Sequence, residues 1–276
     1  LSHAYLFSGP ESVGKFTLAK IFARGIINGA FLQNEIEKEE KLPLDLIILE
    51  PEIEKKKGVV KENSIKIEHI RAVQKDLSLF PYQGKKKVLI VNNAHKMKPS
   101  SQNALLKILE EPNETSIIIL ITHRDSDIIS TIKSRCQKIN FSLASVEELE
   151  LFSKGNKNYE DIVLFSMGRP GLAVLLLGDE RELDSKKEAL KELKIFSSMG
   201  INERFKLAEK LSSNLVLAAK KLESWIWIIR LSIFKQKKTG SFLNWKTIEK
   251  ISESLDVIKN TNASARLVLE NLFLEL

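Results

Sequence analysis

Two glycines and a lysine in Gly9-Pro10-Glu11-Ser12-Val13-Gly14-Lys15-Phe16-Thr17 stand at the spacing of a phosphate-binding loop, G-x-x-x-x-G-K-[ST]. Glycines let backbone N–H groups curl around phosphates, the lysine neutralises them, and the closing hydroxyl helps hold Mg²⁺. Here the hydroxyl position is Phe16, and a phenyl ring cannot ligate a hard cation that demands oxygen. Thr17 stands one step further, turned by about 100° along a helix, so its hydroxyl points away from the metal position. Gly9, Gly14, Lys15 and Thr17 therefore form a vestigial nucleotide site that cradles phosphate without a proper metal site. A second landmark sits at Val88-Leu89-Ile90-Val91-Asn92-Asn93, where an Asp and a Glu at the strand tip would hold Mg²⁺ and orient the attacking water. Both positions are asparagine, which offers an oxygen but no charge and no general base.

The elements around these residues alternate. His3 to Ser8 has strand character, and the stretch after Lys15 continues as a helix. Leu46-Ile47-Ile48-Leu49, Val88 to Val91, Ser116 to Thr122 and Lys138 to Phe141 read as further strands. Ile67, Ile70, Val73, Leu77 and Phe80 recur at helical spacing and predict a helix that ends before Pro81. Pro99 to Glu111 predicts another, with a serine cap candidate at its start and Pro112 as its stop. Alternating strands and helices imply a parallel α/β sheet with ligand chemistry at the strand C-terminal ends. Asn34 to Lys41 reads as a charge-rich connector and Glu52 to Glu62 as a Lys-rich surface loop.

No strand is expected after Ser142 to Ser145. Glu147 to Ser153 and Glu160 to Met167 read as short helices, Gly168-Arg169-Pro170-Gly171 as a turn, and longer helices follow from about Asp184. Within them Trp225-Ile226-Trp227-Ile228-Ile229 is apolar on every side, which suits either the centre of a helical core or a subunit interface. The expected domains are 1–143, 144–182 and 183–276.

Of 276 residues, 43% are hydrophobic and 29% charged, an ordinary globular composition, and the net charge of +7 permits an anionic partner. The single cysteine, Cys136, excludes an internal disulfide and a Cys-based zinc site, and points to a reducing, cytoplasmic setting. The apolar stretch Leu215 to Phe234 is broken by Lys220, Lys221, Glu223 and Arg230, so no membrane association is expected. The sequence opens on Leu1 and directly on a strand, and its natural N-terminus is expected to lie upstream.

His3 to Pro10 leading into the loop, Asn103-Ala104-Leu105-Leu106-Lys107-Ile108-Leu109-Glu110-Glu111-Pro112, Ser134-Arg135-Cys136, Gly168-Arg169-Pro170-Gly171 and Ala265 to Glu270 occur in one order. Together they make the chain resemble a bacterial DNA polymerase III clamp-loader subunit of the AAA+ class, most closely the delta-prime subunits. The resemblance implies a RecA-like AAA+ domain with a degenerate P-loop, a small helical lid, and an all-α collar through which five subunits form an open ring. It places Thr122 at the sensor-1 position and Arg169 at the sensor-2 position. Ser134 and Arg135 match the motif whose arginine finger reaches into a neighbour's ATP site, and delta-prime subunits commonly lack their own ATPase. The implied partners are the gamma/tau ATPase and delta subunits, with the sliding clamp and primed-template DNA engaged through the assembled complex. No cofactor is required, although weak nucleotide binding is allowed. Zinc is not expected, because Asn28 to Glu50 lacks the four cysteines that many relatives carry. Two other readings are an ATP-hydrolysing motor subunit that keeps Lys15, Thr122 and Arg169, and a DNA-binding module using Lys96, Lys98 and Lys107.

Overall fold

A computed structural model describes residues 1–29, 43–56, 59–196, 198–235, 245–261 and 263–276. Five strands, β1 (Ala4–Ser8), β2 (Leu46–Leu49), β5 (Lys87–Val91), β6 (Ser116–Thr122) and β7 (Gln137–Asn140), form one sheet in the order β2-β5-β6-β1-β7. Every pairing is parallel, with Leu6 opposite Leu120 and Leu89 opposite Ile118. The three inner strands are buried along their whole length, which is why they read as unbroken apolar runs.

Alternation of side chains along each strand splits the core in two. On one face Leu6, Leu89, Ile118 and Leu120 pack with Ile70, Val73 and Leu77 of α2 (Ile67–Ser78) and with Leu105 and Leu109 of α3 (Pro99–Glu110). On the other, Phe7, Val88, Ile90 and Ile119 pack with Ala19, Ala23, Ile26 and Ile27 of α1 (Lys15–Asn28). The short α4 (Ser130–Lys133) joins β6 to the edge strand β7.

Three local expectations change. Helix α2 stops at Ser78 and leaves Phe80 86% exposed. The buried Asp45 carboxylate accepts the N–H groups of Tyr82, Gln83 and Gly84 at 2.6, 2.8 and 2.8 Å, so the chain after Ser78 is drawn into a fixed turn. Burial pushes the Asp45 carboxyl upward, but those three donors and Lys87 hold it below its ordinary pKa. No serine caps α3: Pro99 opens it after Lys98, and Ser101 Oγ donates 2.9 Å to the Ile65 carbonyl. The stretch expected as a loop at Glu52 to Glu62 carries β3 (Ile53–Lys56) and β4 (Val59–Glu62), a two-stranded sheet whose base is closed by Asn63 N–H on the Glu52 carbonyl at 2.8 Å. The Asn34 to Lys41 connector lies outside the described residues.

The chain divides into two compact units, residues 1–53, 62–145 and 168–172, and residues 54–61, 146–167 and 173–276. Among the described residues only helices follow β7: α5 (Val146–Ser153), α6 (Tyr159–Ser166), α7 (Pro170–Gly178), α8 (Glu180–Phe196), α9 (Ile201–Ser212), α10 (Leu215–Lys235), α11 (Trp245–Asn260) and α12 (Ala265–Glu275). The all-round apolar run falls in α10 and is covered by its own unit. Trp225 is fully buried, its ring 4.8 Å from Phe196 and 5.8 Å from Phe273 between centroids. Trp227 directs its indole N–H to the Phe165 carbonyl at 2.9 Å. Among the described residues no helix is long and apolar enough to cross a membrane.

Candidate functional site

The C-terminal ends of β1, β5 and β6 open into a cleft of about 270 Å³ in the first unit. One wall is the loop from Glu11 through the start of α1; the other carries Asn92, Asn93, Ile121 and His123, and Gly171 closes it. Backbone conformation makes the loop. Ser12 and Gly14 adopt φ 60° and 90°, and a Cβ on Gly9 would lie 2.3 Å from the Phe141 carbonyl oxygen, so only glycine fits there. Gly171 is equally confined: its N–H donates 2.8 Å to the Ser12 carbonyl, and a Cβ would meet that oxygen at 2.8 Å.

Lys15 is buried at the floor of the loop. Its ammonium donates to the carbonyl of Gly9 at 2.8 Å and also to that of Pro10. Burial lowers its pKa, and Glu11 opposes that shift. Beside it Phe16 lines the cleft and carries the Lys20 ammonium 4.9 Å from its ring centroid, while Thr17 also lines the cleft and is exposed. At the tip of β5, Asn92 Nδ2 donates 2.8 Å to Glu50 Oε1, and Asn92 Oδ1 accepts the Asn93 N–H at 3.1 Å. Asn93 sits at φ 52°, a left-handed conformation that asparagine tolerates better than most residues. Among the described residues no three His, Cys, Asp or Glu side chains gather to hold a metal ion.

Gly14, Lys15 and Thr17 thus meet in the cleft, and Gly9 shapes the turn beneath them. Thr122 is fully buried at the end of β6; its hydroxyl accepts the Arg124 N–H at 3.0 Å and donates to the Arg124 carbonyl at 3.1 Å, closing a local turn. Its neighbours Ile121 and His123 line the cleft, and the polar one is His123. Its ring lies 4.0 Å from that of His95, whose Nδ1 is 3.4 Å from Thr122 Oγ1. Burial, then His123 and nearby cations, lower the His95 pKa to about 4, and burial likewise lowers that of His123. Neither histidine carried a motif signal, since each simply follows a strand end; Glu11, also in the cleft, was hidden at a variable position of the loop pattern. Arg169 is half-buried just before Pro170, the first residue of α7.

Ser134 and Arg135 lie outside the cleft, immediately after α4. Arg135 Nη1 donates 3.0 Å to the Thr131 carbonyl and Nη2 pairs with Glu110 Oε1 at 2.8 Å, while Ser134 Oγ donates 3.0 Å to Thr131. The next residue, Cys136, has its thiol pushed up to about 11 by burial, which keeps it protonated and unreactive at neutral pH. Lys98 and Lys107 are exposed and Lys96 half-buried, and none of the three lines the cleft.

A sequence model of the family described as "DNA polymerase III, delta subunit" matches residues 1–145. The DNA polymerase III subunit delta' of Bacillus subtilis is 33% identical over 157 residues, 54% of this chain and 45% of that protein. Subunit tau of the same organism is 36% identical over 154 residues, 51% of this chain and 24% of tau. The chain therefore matches less than half the length of these curated relatives. A crystal structure of a DNA polymerase III gamma subunit-related protein from Thermotoga maritima superposes with a TM-score of 0.60 at 20% identity, covering 99% of this chain and 94% of that one, a likeness of fold.

Proposed function

The chain belongs to the DNA polymerase III delta-subunit family, and from that premise we propose that it is a delta-prime-like clamp-loader subunit that hydrolyses no ATP itself. In this role Arg135 acts as an arginine finger on the ATP site of a neighbouring ATPase subunit. The observation that carries the reading is the make-up of the cleft. It has a phosphate cradle, yet Phe16, Asn92 and Asn93 occupy the places where a hydroxyl and two carboxylates would organise Mg²⁺. Those residues do not fit the metal, because Mg²⁺ requires a set of hard oxygen donors, usually with carboxylate charge. An amide also cannot take a proton from the attacking water.

Arg135 offers a cation to a neighbouring site that keeps its own metal-organising oxygens. A guanidinium is a planar cation that forks onto phosphate oxygens. Such a group is worth about a thousand- to a hundred-thousand-fold in rate when it meets the transferring phosphoryl. In this reading residues 1–143 form the RecA-like domain, 144–182 the lid and 183–276 the collar of a five-membered ring. The partners are gamma/tau and delta subunits, and the sliding clamp and primed DNA are engaged through the complex in the cytoplasm. Thr122 and Arg169 keep sensor positions without a hydrolytic task, nucleotide at Lys15 is weak and optional, and zinc plays no part.

The test is a loader rebuilt with wild-type, Arg135→Ala or Arg135→Lys chain, checked for assembly by gel filtration and assayed for ATP turnover with primed DNA and clamp. Arg135→Ala should leave assembly intact and sharply reduce turnover and clamp loading, and lysine should substitute poorly. Unchanged turnover in a fully assembled Arg135→Ala ring would make the arginine structural. A second reading, a gamma/tau-like motor, draws on the intact Lys15 and on the likeness to tau. Mg²⁺-dependent hydrolysis by the isolated chain, lost on Lys15→Ala, would favour it.

A further inference from the structure

Resting on that role for Arg135, we propose that Glu110 is its positioning residue, aiming the guanidinium toward the neighbouring subunit's phosphate. Two acceptors of the same unit hold the arginine from different directions, Glu110 Oε1 at 2.8 Å on Nη2 and the Thr131 carbonyl at 3.0 Å on Nη1. Because a guanidinium is planar with five N–H donors, two fixed points set its plane while Nε–H and one N–H on each terminal nitrogen remain to be offered. Ser134 Oγ, at 3.5 Å, adds only a weak third contact.

The stability of α3 does not account for a glutamate here. Glu110 is the last residue of α3, where the helix dipole disfavours a negative charge, and Lys107 already supplies the favourable basic residue of that turn. Nor does the pair neutralise a buried charge, since the Arg135 and Glu110 side chains are 36% and 49% exposed. Exposed pairs of this kind add little to stability, but a charged anchor restricts where a long, flexible side chain points. Glu110 belongs to the Leu109-Glu110-Glu111-Pro112 stretch on α3, and Arg135 to the segment after α4, so the contact ties two motifs that lie far apart in the chain.

The experiment uses the assembled loader, with kcat and KM for ATP measured in the presence of primed DNA and clamp. Glu110→Ala should lower kcat about two- to fivefold at unchanged KM, the scale of an exposed ion pair. Glu110→Gln, which keeps a carbonyl acceptor, should recover part of that loss, and keeps the test open should the alanine variant fail to assemble. In an Arg135→Ala background Glu110→Ala should change nothing further. A normal kcat in Glu110→Ala alongside a reduced one in Arg135→Ala overturns the positioning role and leaves the arginine finger standing. A raised kcat, or an equal loss in the Arg135→Ala background, also overturns it, by showing that Glu110 restrains the arginine or acts elsewhere. A silent Arg135→Ala removes the finger itself, and the positioning role with it.

Discussion

Acidification to pH 5.0 should destabilise the fold through His95. The ring is 8% exposed, packed edge-on against His123 and faced by Lys96, Arg124 and Asp127. Burial, His123 and the two cations lower its pKa from 6.5 to about 4, with Asp127 opposing. Because the folded value lies below the unfolded one, protons bind the unfolded chain better. The stability His95 contributes is complete above about pH 6.5 and is lost as pH falls toward 4. At pH 5.0 that difference corresponds to a factor of about 30 in the folding equilibrium, roughly 2 kcal/mol relative to pH 7.5. Urea unfolding followed by circular dichroism at both pH values, for wild type and His95→Asn, isolates this contribution from other titrating groups. Wild type should lose about 2 kcal/mol more than the variant on acidification. An identical pH dependence in the two proteins, or an NMR titration of the His95 ring near its ordinary value, would refute the reasoning.

Three other perturbations follow from the packing. Gly9→Ala places a Cβ 2.3 Å from the Phe141 carbonyl oxygen and should lower stability by about 1–3 kcal/mol, visible as a drop in Tm; an unchanged Tm would contradict that close approach. Asp45→Asn replaces a charged acceptor of three N–H groups and should cost about 1.5–3 kcal/mol in chemical denaturation, whereas a midpoint equal to wild type would show that the turn at Tyr82 to Gly84 holds without the charge. In acrylamide quenching of the isolated chain the 58% exposed Trp245 should dominate and the fully buried Trp225 stay protected. Retention of the quenching in Trp245→Phe would sink that assignment.

The sheet was legible because inner strands announce themselves: Val88 to Val91 and Ile117 to Ile121 are apolar at every position, and both faces of each are covered. The cleft was legible through a motif whose glycines are dictated by backbone geometry, as the Gly9 contact with Phe141 illustrates. What stayed hidden depends on partners far along the chain. The end of α2 at Ser78 is set with the help of Asp45, which lies upstream of the whole helix and carries no local pattern. The buried turn of the Thr122 hydroxyl depends on the backbone of Arg124, and nothing in the spacing says whether a strand-end hydroxyl faces a ligand or its own chain. The β3–β4 sheet is masked by lysines and glutamates that read as solvated, because strand pairing there draws on backbone groups that composition does not register.

The inward fold of Lys15 gives the loop an internal competitor. The ammonium that would meet a phosphate is already held by the carbonyls of Gly9 and Pro10, backbone acceptors that no side-chain substitution removes. A hydrogen bond to a charged group is worth about 1.5–3 kcal/mol net, so the form with its lysine released is a small fraction of the molecules. Any nucleotide that uses this lysine binds that fraction, and its apparent dissociation constant is multiplied by the reciprocal of the fraction, about ten- to a hundredfold. Affinity at this loop is thus governed by the chain's own conformational equilibrium as well as by the groups it presents.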